Sequence, residues 1–153
     1  MQIEEKLKEL GHQLPEIAKP LASYIPATVV DGFVYTSGQV PILKGELIYK
    51  GKVGSDLTLN EGQMAAQMCI LNCLAAIKGE IGDLDKIERI VKLTVFVQSA
   101  EGFTDQPKVA NGASDLLQQV FGDAGKHARS AVGVIHLPIG SAVEIEMIAK
   151  IRA

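Results

Sequence analysis

The chain has 153 residues, 47% hydrophobic and 22% charged, with a formal net charge of −3 at pH 7. That length fits one domain, 1–153, able to bury roughly 70% of its unfolded surface with no disulfide or metal staple. The acidic balance gives no electrostatic reason to bind nucleic acid or an anionic membrane, and the opening MQIEEKLKEL has no apolar signal core.

In chain order, residues 2–10 predict a short amphipathic helix. Ile3, Leu7 and Leu10 form its stripe and Gly11 its stop. Pro15, Pro20 and Pro26 make 12–26 irregular or extended. Thr28 to Val30, an Asp31-Gly32 turn and Phe33 to Ser37 read as strand, turn, strand. A turn at Lys44-Gly45 leads to a short strand at Glu46–Tyr49. Asn60 is read as the N-cap of a long helix reaching Gly82, with Met64, Met68, Leu71 and Leu74 at helical spacing. Cys69 and Cys73 lie four apart on that helix and read as core fillers. Nothing in them asks for an oxidising compartment, so the expected setting is cytoplasmic. No apolar run reaches the roughly 18 residues of a membrane span.

Ile87 to Gln98 is a strand rich in Ile, Val and Thr. A second helix fits 106–121, with Pro107 in its first turn and Gly122 after its end. The remaining stretch, HARSAVGVIHLPIGSAVEIEMIA from His127 to Ala149, reads as a β-hairpin turning at Pro138–Ser141. Strands, helix, strand, helix and strands predict an α+β fold, with two helices on one face of a mixed sheet and an extra N-terminal helix. In the hairpin register Val132, Val134, Val143, Ile145 and Met147 share a face under the helices. Arg129, Ala131, Gly133, Ile135, Glu144 and Glu146 then share the other. Small apolar residues between charges suggest that a neighbouring subunit packs there.

Three stretches resemble the Rid (reactive intermediate deaminase) family, also called YjgF. They are Thr36-Ser37-Gly38-Gln39-Val40-Pro41, Lys92-Leu93-Thr94-Val95-Phe96-Val97, and Ala128-Arg129-Ser130 with its Leu137-Pro138 turn and Glu144-Ile145-Glu146 return. The resemblance runs from about Tyr24 to the C-terminus, so residues 1–20 are an extension. It implies a chorismate-mutase-like fold and a homotrimer with clefts between subunits. It also implies site roles: Arg129 grips a substrate carboxylate, Glu144 stands near the attacking water, and Tyr24 and Ser37 line the cleft. The sequence departs from the family at Ala131, where a cysteine is frequent, and at Lys126-His127, where a Phe-Pro pair is usual. An aromatic residue expected in the second helix is also missing.

On this basis the expected activity is hydrolysis of 2-enamine or 2-imino acids to 2-keto acids and ammonia, with no metal or organic cofactor. An arginine suits the ligand because its planar donors match a carboxylate at two points. The competing role for Arg129 is a structural ion pair at a subunit interface. The competing role for Glu144 is pairing with a lysine, and Glu146 reads as structural. An alternative from another class is a non-catalytic trimer that binds small carboxylates. Endoribonuclease activity is a lesser alternative, because nothing offers a basic, aromatic platform for RNA. Chorismate mutase would want several cations, and the face carries one arginine. His12, His127 and His136 show no metal spacing, and His127 is read as a surface residue. Ser37 has no partners that would make it a nucleophile.

Overall fold

A computed structural model describes residues 2–17 and 23–153. The part of the irregular 12–26 segment at 18–22 lies outside them. The elements are α1 (Gln2–Glu9), β1 (Ala27–Val30), β2 (Phe33–Thr36), β3 (Ile42–Leu43), β4 (Glu46–Leu47), α2 (Leu59–Ile81), β5 (Ile87–Gln98), α3 (Gln106–Phe121), β6 (Ala128–Val134) and β7 (Val143–Ile151).

Local sequence explains the boundaries. Asp31 (φ 50°) and Gly32 (φ 78°) take the left-handed conformations that a two-residue hairpin turn needs, and Lys44-Gly45 repeats the device between β3 and β4. The predicted strand at Glu46–Tyr49 shortens to Glu46–Leu47. The N-cap of α2 is Thr58, two residues before the expected Asn60. Thr58 and Glu61 exchange side-chain and backbone hydrogen bonds, which satisfies two orphan donors at once, and Asn60 sits inside the first turn.

α2 and α3 lie on one face of a five-stranded sheet ordered β1-β2-β7-β5-β6. Between them and the sheet are Ile70, Leu74, Ile77, Leu93, Val95, Leu117, Val143, Ile145 and Met147, all at or below 1% exposure. The two helices approach closely at Gly112, where a Cβ would collide with the Gln63 carbonyl. α2 is also, by length and composition, able to cross a membrane, but 56% of its apolar window is buried inside this fold. The N-terminal helix shares the same core through Leu7, and Asp85 accepts from the amides of Gln2 and Ile3 at its start.

The expected hairpin of β6 and β7 does not form. β5 lies between them, pairing parallel with β6 and antiparallel with β7. The Pro138–Ser141 segment carries the chain over the end of β5. The buried Gln98 side chain holds that crossing, accepting from the Leu137 amide and donating to the Gly140 carbonyl. Alternation and turn residues look the same whether a connection joins neighbours or steps over one strand, and sequential strands are neighbours only about two-thirds of the time.

The face assignment changes with the topology. Arg129, Ala131 and Gly133 pair with Leu93, Val95 and Val97, so they share the helix-covered side with Val143, Ile145 and Met147. Glu144 and Glu146 pair with Phe96 and Thr94 on the opposite side. Val132 belongs to that side too, not to the core. The uncovered side carries Val30 (52% exposed), Tyr35 (41%) and Val132 (44%).

Candidate functional site

The Thr36-Ser37-Gly38-Gln39 stretch is a bulge beside Glu144. Tyr35 pairs with Ile148, and the ladder resumes at Gln39 with Ile145, so four steps on one strand match three on the other. Each residue of the stretch has a physical task. The Thr36 hydroxyl accepts the Met147 amide that would lack a ladder partner (3.0 Å) and donates to Cys73 Sγ (3.7 Å). The Ser37 hydroxyl donates to the Ile25 carbonyl at 2.6 Å, while its amide donates to Pro26. That pair of bonds holds the segment presenting Tyr24, which is 54% exposed. Gly38 gives room to Glu144: a Cβ built there would stand 2.8 Å from the Glu144 Cδ and 3.1 Å from its Cγ, with Oε1 nearer still. Asn72, buried on α2, donates to the carbonyls of Val40 and Ile42 and fixes the segment that follows.

Glu144 is half-buried. Desolvation first, and then the neighbouring Glu146 charge, hold its carboxyl above the usual range. Next to it on the uncovered side is a hollow of about 150 Å³ lined by Tyr35, Thr36, Lys92, Thr94, Glu146, Met147 and Ile148.

Arg129 sits on β6, an edge strand. Its Nη1 donates to Asn111 Oδ1 (2.9 Å) and to Ser114 Oγ (3.0 Å), both on α3. No carboxylate pairs with it among the described residues, so the structural ion pair is not made within one chain. His127 is half-buried rather than superficial. Its Nδ1 lies 2.6 Å from the Gly125 carbonyl and its Nε2 2.9 Å from Ser114 Oγ. Burial, with help from the Arg129 charge, pushes its pKa down.

The structure therefore brings Glu144, Ser37 and the Tyr24 segment into one neighbourhood and leaves Arg129 outside it. Arg129 is level with Met147 through Leu93, two strands away from β7 and three residues from Glu144. Strand spacing and rise put their Cα atoms on the order of 14 Å apart, with the side chains on opposite faces. Asn111 and Ser114 were not among the sequence candidates. Their signal is two polar residues spaced i, i+3 beside the apolar stripe of Ala110, Ala113, Leu117 and Val120, because a buried polar group asks for a partner. Among the described residues, no three His, Cys, Asp or Glu side chains form a metal-binding group.

A family model described as "YjgF/chorismate_mutase-like, putative endoribonuclease" matches residues 4–151. Protein TCP17 of Trypanosoma cruzi is 43% identical over 147 residues, 95% of this chain and 92% of that protein. A crystal structure from Shewanella oneidensis, titled a "putative endoribonuclease", superposes with a TM-score of 0.95 at 35% identity, covering 99% of this chain and 100% of that one. A 2-iminobutanoate/2-iminopropanoate deaminase of Dermatophagoides farinae is 28% identical over 139 residues, 90% of this chain and 93% of that protein.

Proposed function

The chain belongs to the YjgF/chorismate-mutase-like family, and on that premise we propose that it hydrolyses 2-enamine or 2-imino acids to 2-keto acids and ammonia. The observation that carries the reading is Arg129: a half-buried residue whose guanidinium is held by two neutral side chains, with no acidic partner among the described residues. Such a group retains its charge for an anion. The resemblance to a protein named as an imino-acid deaminase supplies the substrate class.

In this reading the working unit is a homotrimer, because one chain cannot bring Arg129 and Glu144 to one ligand. An adjacent copy would seat its Glu144, Ser37 and Tyr24 opposite the β6 edge of the first. The uncovered apolar residues Val30, Tyr35 and Val132 are the surface such packing would bury. Arg129 would hold the carboxylate and draw charge from the adjacent imine carbon. An enamine is first protonated at C3 to give the iminium. Water adds to the iminium carbon as Glu144 takes its proton. Glu144 returns that proton to the amino nitrogen, and ammonia leaves as the hydroxyl proton passes back to the carboxylate and the carbonyl of the 2-keto acid forms. A carboxyl kept above its usual pKa is the better base for this step. No metal or organic cofactor enters the scheme, and the proposed setting is the cytoplasm.

A non-catalytic carboxylate binder would use the same arginine, and Ala131 in place of the frequent cysteine fits it no worse. Turnover separates the two readings. Arg129→Ala should stay trimeric by light scattering and lose hydrolysis of freshly generated 2-aminoacrylate. Arg129→Lys should also be badly impaired, since an ammonium lacks the two-point grip. A trimeric Arg129→Ala with wild-type turnover would end the anchor reading. Activity lost only in step with lost assembly would make Arg129 structural.

A further inference from the structure

Resting on the carboxylate-anchor reading of Arg129, we propose that Ser114 and His127 are positioning residues that orient the guanidinium, His127 acting through Ser114 as an acceptor at Nε2. The directions of the hydrogen bonds lead there. The Gly125 carbonyl can only accept, so the Nδ1 atom 2.6 Å from it carries the ring proton. A neutral ring then offers a lone pair at Nε2, and the Ser114 hydroxyl 2.9 Å away donates to it. With its proton committed, Ser114 Oγ presents lone pairs to Arg129 Nη1 at 3.0 Å.

Ser114 needs that commitment. A serine inside a helix can turn its proton toward the preceding turn's carbonyls, and Ser114 is only 5% exposed, so bulk water does not compete. His127 removes the choice. Asn111 Oδ1 takes the second contact of the same nitrogen. Both acceptors are neutral, so they fix Nη1 without cancelling the charge. A carboxylate at either position would quench the cation it was orienting. The Nη2 and Nε edge, without a partner among the described residues, is left for the ligand's two oxygens.

The bland alternative is that His127 merely ties the 122–125 turn to α3. Two substitutions separate the roles. His127→Asn places a donor near the Nδ1 position for Gly125 but no acceptor near Nε2. His127→Gln places an acceptor near Nε2 and nothing at Nδ1. The assembled protein and its Ser114→Ala, His127→Asn, His127→Gln and Arg129→Ala variants would be compared by trimer mass, KM and kcat for 2-aminoacrylate, and calorimetric Kd for pyruvate. Ser114→Ala and His127→Asn should raise KM and the pyruvate Kd by about tenfold, the scale of one hydrogen bond to a charged group. Their kcat should change less than twofold, and His127→Gln should lie near wild type. Rescue by Asn rather than Gln overturns the proposal, as do unchanged KM and Kd in Ser114→Ala, or losses that follow lost trimer mass. If those variants behave as wild type while Arg129→Ala loses pyruvate, the positioning idea fails and the anchor stands. If Arg129→Ala itself keeps turnover and pyruvate affinity, the anchor fails first.

Discussion

Gly38→Ala isolates the placement of the Glu144 carboxylate from its chemistry. Gly38 is not in the left-handed region, so alanine brings no backbone strain there. The added methyl would stand 2.8 Å from Glu144 Cδ, where ordinary van der Waals contact begins near 3.4 Å. The glutamate must move, and relieving the tighter approach to Oε1 takes about 1 Å at the carboxylate end. The moving part is the far end of a flexible, half-exposed side chain. Stability should therefore change by less than about 1 kcal/mol, well below the cost of overpacking a rigid core. Catalysis is far less forgiving, because a 1 Å misplacement of a reacting group can cost about 10²-fold. We expect Gly38→Ala to unfold in urea near the wild-type midpoint, to bind pyruvate normally, and to lose about 10²-fold in kcat for 2-aminoacrylate. Wild-type kcat in a folded Gly38→Ala, alongside an impaired Glu144→Gln, would refute the claim that the position of this carboxylate matters.

Two further outcomes follow from the titrating groups. The raised Glu144 pKa means that the folded state binds its proton more tightly than the unfolded chain does, so this group's contribution to stability falls as pH rises from about 4.5 through its folded value; the urea midpoint of Glu144→Gln should gain on wild type across that window and then run parallel, and a constant difference from pH 4 to 8 would contradict it. Burial raises Cys69 well above the ordinary thiol range and Cys73 to about 12, so the native protein should resist a thiol reagent at pH 8 and react fully in urea; prompt native labelling would show that α2 opens readily.

Much of the fold was legible because single segments declare themselves. The Asp31-Gly32 turn requires two left-handed residues and has the side chains that tolerate them. The 23 residues of α2 carry enough helical periodicity to fix its extent within two residues. Its N-cap was misplaced because Asn60 is a good cap in isolation. The reciprocal Thr58–Glu61 pair outweighs it through two bonds instead of one. Strand order was less legible. Nothing between Val134 and Val143 says that the chain passes over β5, since the evidence for the crossing is held by Gln98, nearly 40 residues upstream.

The candidate site divides along the same line. Thr36, Ser37 and Gly38 could be recognised as a motif, but their tasks depend on Met147, Ile25 and Glu144, which are far away in sequence. The hairpin assumption put Arg129 and Glu144 on one face, and the inserted strand reverses that for Arg129. Parallel pairing with β5 turns the odd-numbered residues of β6 toward α3. That reversal gives Arg129 its neutral partners on α3 and keeps it off the face that carries Glu144 and Glu146. On the helix side its hydrogen-bond partners among the described residues are the neutral Asn111 and Ser114. Within one chain the cation and the two carboxylates therefore stand on opposite faces of the sheet. On the proposed reading, assembly rather than folding would bring the anchor and the base together.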